Sequence, residues 1–306
     1  MGSSINTNIA AMTALQSLNQ TNKELLVTQN RVSTGYRVAD ASDNAAYWSI
    51  ATTMRGDRSS LSTVLDALGL GSATAEIAAK GIESAIEVAG KLKDKLLAAR
   101  TPGVDRSKIQ SEIEELQSSL QSIVDGATFN GQNWLTGDSG AATTTRTLVS
   151  SFSRAADGSI EIGTITVDLD DTRLIDSNGT ASGILNTTAT SGSTSYTILN
   201  LDISALTDDT ADLDLIIHMM ETVDTAIDDM TDAATALGAV KTRIDIQKDF
   251  AKSLIDAIDT GVGQLVDADM NEESTRLQAL QVRQQLGIQA LGIANQSAQM
   301  IMRLFQ

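Results

Sequence analysis

The chain has 306 residues, of which 3% are aromatic, one is proline (Pro102) and none is cysteine, and its formal net charge is -17. An acidic chain without clustered Lys or Arg repels polyanions, which argues against nucleic acid or an anionic membrane as a partner. The absence of cysteine removes disulfides, thiol nucleophiles and cysteine metal sites. The 42% apolar fraction is carried by Ala, Leu, Ile and Val, a mix suited to long helices packed through small and aliphatic side chains.

Met1 to Asn22 carry no Lys or Arg and no continuous apolar run, so no cleaved secretory signal is expected. No stretch approaches the roughly 18 consecutive apolar residues of a membrane span. On these grounds alone the chain reads as cytoplasmic. On a helical wheel the N-terminal segment sets Ile5, Ile9 and Met12 on one side and Leu18, Leu25 and Val32 on the other. Ile50, Met54, Leu61, Leu65, Leu68, Ala75, Ile82, Ile86, Ala89, Leu92 and Leu96 then follow helical spacing loosely. Thr101-Pro102-Gly103 breaks the pattern, because proline lacks a donor and glycine permits the reversal. Behind an N-cap at Asp105, Ile109, Ile113, Leu116, Leu120 and Ile123 step by four and three. Two antiparallel helices, 44–100 and 105–126, are therefore expected, with a further helix over 210–260 packed on them as a rod.

Between Asn133 and Asp208 the composition turns to Gly, Ser, Thr and Asn. Short alternating runs such as Ile160-Glu161-Ile162 and Thr164-Ile165-Thr166-Val167 read as strands, and Ser177-Asn178-Gly179 reads as a turn. From Ala155 to Val240 sixteen Asp or Glu face the single basic residue Arg173, so the acidity is concentrated on this insert and the helix start beside it. From Leu213 a heptad pattern follows: Leu213, Ile216, Met220, Val223, Ile227, Met230, Ala234, Leu237. One of its positions stays apolar through Ile244, Ala251, Ile258 and Leu265, while the other turns to Lys241 and Lys248.

The C-terminal segment divides its large apolar side chains into opposed stripes. Leu277, Leu280, Ile288, Leu291, Met302 and Phe305 form one; Val282, Leu286, Ile293, Met300 and Leu304 form the other. Pairing of the two ends as a coiled coil covers one face of each. A second apolar stripe is an interaction surface in waiting, so these residues of both ends are the candidate polymer interface.

The ends also carry specific motifs. Ile5-Asn6-Thr7-Asn8, Arg31-Val32-Ser33-Thr34-Gly35 with Arg37, Asp43-Asn44-Ala45-Ala46 and Phe129-Asn130-Gly131 stand in the first part of the chain. Asp267-Ala268-Asp269-Met270, Glu273, Gln285, Gln289-Ala290, Ala294-Asn295-Gln296 and Leu304-Phe305 stand in the last. In these the chain resembles the bacterial flagellins, over about 1–135 and 210–306, while the segment between corresponds to that family's variable region. The resemblance implies a mainly α fold with a β-containing insert, in three parts. They are terminal core helices (1–43 with 262–306), a helical rod (44–135 with 210–261) and a variable outer β-rich insert (136–209). It further implies a non-enzymatic subunit that polymerises into the extracellular flagellar filament used for motility. Its partners would be other flagellin subunits, the export apparatus and its chaperone, and the cap and junction proteins, with no cofactor. Export through the flagellum's own channel would replace a signal peptide. A hook-filament junction protein and a secreted coiled-coil adhesin are the alternative readings.

Asn44, Tyr47-Trp48 and Lys91 to Lys95 depart from the family segments read by plant and animal immune receptors, so the resemblance does not extend to strong recognition. His218, the single histidine, is expected at the rim of the heptad helix, since a zincin site needs two. Asp168-Leu169-Asp170-Asp171 lacks the glycine and glutamate spacing of an EF-hand and reads as a solvated charge run. Gly69, Gly71, Gly81 and Gly90 lie within a helical pattern and are expected to permit close helix approach.

Overall fold

A computed structural model describes residues 8–140, 144–155, 157–178, 182–192 and 194–304, with side chains as far as 296. It is mainly α with a small strand-bearing insert. Three helices open it: α1 (Ile9–Thr34), α2 (Ala45–Ala99) and α3 (Arg106–Gly126). Then come β1 (Thr128–Phe129), β2 (Gln132–Asn133), β3 (Thr136–Gly137), β4 (Thr145–Arg154), β5 (Ile160–Asp168), β6 (Ile175–Asp176), β7 (Ala189–Ser191) and β8 (Thr194–Tyr196). Two long helices close it, α4 (Thr210–Val266) and α5 (Met270–Leu304). The chain divides into two compact units, Met1–Arg58 with Asp256–Gln306, and Ser59–Ile255. The strand-bearing segment therefore shares a unit with the middle helices.

In the Ser59–Ile255 unit the covered positions of α2 are stricter than its large apolar residues suggest. Leu61, Val64, Leu68, Gly71, Ala75, Ala78, Ile82, Ala85, Ala89, Leu92, Leu96 and Ala99 are buried in unbroken steps of three and four. Three of the four seam positions from Ala78 to Ala89 are alanine, which lets helices approach closely at no side-chain entropy cost. On α4 the seam runs through Ile216, Met219, Val223, Ala226, Met230, Ala233, Leu237, Ile244 and Ala251. The second seam position thus lies one residue before Met220, Ile227 and Ala234, where it was expected. Those three are only partly buried at its edge, because the small Ala226 and Ala233 fill the narrow part of the interface.

On α3 Ile113 and Leu120 are fully buried, but Ile109, Leu116 and Ile123 are only half-buried. Arg106, Gln110 and Gln117 occupy the intervening seam positions. Asp105 stands at the N-cap, yet its side chain makes no capping hydrogen bond.

The strands form four two-stranded sheets: β1-β2, β3-β6, β4-β5 and β7-β8. Only β3-β6 is parallel. The runs expected as two strands at Ile160 and Thr164 are the single strand β5, paired with β4 across a bulge between Val149 and Ser151. The turn read at Ser177-Asn178-Gly179 includes Gly179, which lies outside the described residues. Of the four helical glycines, two meet neighbours and two do not. A Cβ on Gly71 would stand 2.7 Å from a Leu148 methyl, and one on Gly81 would stand 2.8 Å from Leu135 and 3.0 Å from Ala127. Gly69 and Gly90 face open space. The close approach is therefore of the β4 strand and the post-α3 loop rather than of another helix.

Candidate functional site

In the unit formed by the two ends, α1 and α5 pair antiparallel. The Asn8 side-chain amide donates to the Ala294 carbonyl (2.9 Å), Gln284 donates to the Asn22 side chain (2.7 Å), and the Arg31 guanidinium meets Glu273 (3.0 Å). The covered positions again step by three and four: Ala11, Ala14, Leu18, Thr21, Leu25, Thr28 and Val32 on α1, and Glu273, Leu277, Leu280, Gln284, Gly287, Leu291 and Ala294 on α5. Thr21, Thr28, Gln284 and Gly287 thin the apolar content of this seam, and a Cβ on Gly287 would stand 3.2 Å from Leu18.

The opposite faces are uncovered. Ile9 and Met12 on α1, with Leu15, Leu26 and Val27, are exposed. So are Val282, Leu286, Ile288 and Ile293 on α5, with Ile293 68% exposed. Ile288 departs from its expected grouping with Leu277, Leu280 and Leu291. Gly287 takes the seam position, and a step of one residue turns Ile288 outward. Ile5 and Phe305 lie outside the described residues, and the side chains of Met300, Met302 and Leu304 are likewise outside them.

The motif residues sort by what they hold. Gly35 ends α1 in the left-handed region (φ 75°), its N–H donating to the Arg31 carbonyl. The Arg37 guanidinium donates to the carbonyls of Leu265 (2.9 Å) and Gln264 (3.4 Å) near the C-terminus of α4, where the helix dipole favours a cation. The backbone N–H groups of Arg37 and Val38 donate to the Val266 carbonyl, and that of Ala268 donates to Gly35. These bonds latch the α1–α2 link to the α4–α5 link, over a small core of Val38, Ala51, Val262 and Val266. The heptad residues Ile258 and Leu265 only flank this core, because over the last turns of α4 the covered positions step by four, from Val262 to Val266.

Asp43 accepts from the N–H of Ala39 (2.9 Å), and the Asn44 side chain caps α2 through the N–H groups of Ala46 and Tyr47 (both 3.1 Å). Asn130 (φ 49°) and Gly131 (φ 75°) form the two-residue turn between β1 and β2, a left-handed pair for which Asn-Gly is the favoured sequence. Ser33, Ala45, Ala46 and Asn295 are exposed, as are Tyr47, Trp48 and Ile50.

These are elements of pairing and latching. The model described as the bacterial flagellin N-terminal helical region matches residues 5–140, and the bacterial flagellin C-terminal helical region matches 220–305. The chain belongs to the bacterial flagellin family. It is 47% identical to Flagellin C of Rhizobium meliloti (strain 1021), covering 99% of both chains. Identity to a Brucella melitensis biotype 1 flagellin is 42%, again over 99% of both, and to Flagellin A of Rhizobium meliloti (strain 1021) it is 39%, over 99% of this chain and all of the relative. As a flagellin it is a structural, extracellular subunit of the flagellar filament, polymerising with other flagellin subunits. Neither a junction protein nor an adhesin is favoured.

The chemistry elsewhere is structural as well. His218 is exposed and lies 3.3 Å from Glu221. Asp170 is not simply solvated: it is the ion-pair partner of Arg173, whose side chain is buried. Among the described residues no cluster of His, Cys, Asp or Glu could hold a metal, and no helix is long and apolar enough to cross a membrane.

Sequence periodicity missed a polar seam. Gln117 donates to the carbonyls of Ile198 (3.0 Å) and Leu201 (3.1 Å), while Gln110 accepts from the N–H of Ile203 (3.0 Å). Arg106 binds the Ala99 carbonyl (3.0 Å) and the Asp208 carboxylate (2.7 Å). Together they hold the irregular segment 198–208 along α3, with Ile198, Leu201 and Ile203 buried beneath it. The Arg106 hydrogen bond, then the Gly103 N–H, holds the Asp208 carboxyl below its ordinary value. Polar residues at 106, 110 and 117, in step with Ile113, Leu120 and Val124, are the trace of this seam in the sequence, and they do not name its partner.

Proposed function

We propose that the uncovered faces of α1 and α5 are the surfaces through which successive copies of this flagellin pack in the filament. The observation that carries the reading is the double face of α5. Leu277, Leu280 and Leu291 lie in the α1 seam, while Val282, Leu286, Ile288 and Ile293 stand exposed on the same helix. An apolar stripe of that length in a folded subunit is a contact left for another molecule. Ile5, Ile9, Met12, Met300, Leu304 and Phe305 extend the proposed surface, and Leu18, Leu25 and Val32 hold the pairing that presents it.

In this reading 1–43 with 262–306 line the filament core, 44–135 with 210–261 form the rod around it, and 136–209 face outward. The subunit has no catalytic role and no cofactor. It leaves the cell through the flagellar export apparatus, served by an export chaperone, and is placed between the junction proteins and the cap. The test is elongation. Native filaments are dissociated by heat or acid, returned to neutral pH with short seeds, and followed by electron microscopy. Growth of the seeds is expected; seeds that do not lengthen would contradict the reading.

A further inference from the structure

The first turns of α2 are composed for a burial that the subunit does not give them. Residues 44–54 carry no charge, in a chain of which 20% is charged. From Ala45 to Met54 only Ala51 is buried, in the small core with Val262 and Val266, and Met54 is half-buried beside it. Tyr47, Trp48 and Ile50 are exposed at 41%, 38% and 49%. The first charge to follow, Arg55, lies over the Tyr36 ring, 4.8 Å from its centroid. A helical stretch without charge on any side is one that folded proteins cover on every side, and Tyr and Trp are the side chains that anchor interfaces.

The shape of the uncovered side points to a helix as its occupant. Away from Ala51, the residues Ala45, Ser49, Thr52 and Gly56 are exposed at steps of four and three, and a Cβ on Gly56 would meet nothing within 4 Å. That is the spacing of a helix–helix seam, open and lined with small residues, which receives a helix bearing large ones. α4 bears them. Of its 57 residues only Ile246 and Phe250 are large, apolar and exposed, at 66% and 58%, and with the exposed Ser253 they too step by four and three.

We propose that the start of α2 in one copy packs against the Ile246 and Phe250 face of α4 in an adjacent copy of the filament. The inference rests on the filament reading above and adds a surface outside the faces of α1 and α5. Symmetry allows it: neighbours in a filament of one kind of subunit are related by a rotation and a translation that never close, so they meet through two different faces. Each copy gives its α2 start to one neighbour and its α4 face to another. Ile246 and Phe250 enter the row of Ser49, Thr52 and Gly56, large against small, while Tyr47 and Trp48 are covered at its edges. The other exposed apolar residues of α2, Leu70 and Leu97, stand singly and call for no partner.

The two tryptophans report on the contact. Trp134 is 1% exposed, so in the free subunit iodide quenches Trp48 alone. That quenching should be lost when the unsubstituted chain polymerises. Because the chain lacks cysteine, Ser49→Cys and Ser253→Cys each place a single thiol at an exposed position of one of the two rows. An equal mixture of the two variants, polymerised and treated with a short bismaleimide, should give cross-linked dimers. Either variant alone, and the mixture before polymerisation, should not. Quenching of Trp48 retained in filaments would overturn the burial of the α2 start; lost quenching without mixed dimers, or dimers from one variant alone, would overturn α4 as its occupant. If seeds elongate normally while that happens, the filament reading stands and only this inference falls. If the unsubstituted chain fails to elongate seeds, both fall.

Discussion

Ile293→Ala separates assembly from folding. The substitution removes three carbons, worth about 2.4 kcal/mol if fully buried at ~0.8 kcal/mol each. Ile293 is 68% exposed in the subunit, so about 1.6 kcal/mol of that transfer is left to be realised when a neighbour covers it. At 1.4 kcal/mol per tenfold, the critical concentration for elongation should rise about 15-fold. The remaining third bounds the loss of subunit stability at about 0.8 kcal/mol. Leu280→Ala is the contrast: Leu280 is 4% exposed in the α1–α5 seam, so its truncation should cost the subunit about 2–5 kcal/mol. The assays are soluble subunit concentration at equilibrium with filaments, and urea unfolding followed by circular dichroism. If Ile293→Ala lowered the unfolding midpoint as much as Leu280→Ala and left the critical concentration unchanged, the face assigned to neighbouring subunits would be intramolecular.

Further outcomes follow from particular contacts. Arg31→Gln leaves the buried Glu273 carboxylate with only the more distant Arg276 guanidinium at 3.6 Å, and should destabilise the α1–α5 pairing by about 3 kcal/mol in urea unfolding. The double substitution Arg31→Leu with Glu273→Leu should recover most of that loss, because no unpaired charge remains buried. Gly90→Ala faces open space and should stabilise α2 by about 0.5–1 kcal/mol, while Gly81→Ala, which collides with Leu135 and Ala127, should lower the thermal midpoint. For Asp208 the folded carboxyl titrates below its ordinary 3.8, so its contribution is present above that pH and is lost as pH falls through the lowered value. Asp208→Asn should therefore flatten stability against pH below 3.8 and leave the slope above it unchanged, as read from unfolding midpoints across an acid series.

What was legible in the sequence is what large apolar side chains mark directly. Ile216, Val223, Met230 and Leu237 announce α4, and the Thr101-Pro102-Gly103 break separates α2 from α3, with Gly103 at φ 79°. The second seam position of α4 was displaced by one residue because the eye follows Met220 and Ile227, while the packed positions are Met219, Ala226 and Ala233. Small residues carry little hydrophobicity, yet they are what lets helices approach. The same masking hid the regular repeat of α2: Ala75 and Ala89 stand in the apolar pattern, but Gly71, Ala78, Ala85 and Ala99 are needed to complete the seam.

Polar seam residues pose a different problem, because their partners are distant in sequence. Gln117 binds carbonyls more than eighty residues away, and Arg106 binds Asp208 across a hundred. Nothing local to α3 reveals that an irregular segment returns along it. A helix partner would have called for leucines at 106, 110 and 117. A segment without regular structure instead presents unpaired carbonyls and N–H groups, and burying these without partners costs about 1–3 kcal/mol each. Side chains that can donate and accept are then the ones that fit, which is why two glutamines and an arginine stand where periodicity predicts an apolar stripe. The ends follow the same logic at the level of the whole face. Thr21, Thr28, Gln284 and Gly287 keep the intramolecular α1–α5 seam modest, while the larger Leu26, Val27, Leu286, Ile288 and Ile293 are turned outward. In the proposed packing, the helices of one subunit thus reserve much of their apolar surface for contacts that only a second copy supplies.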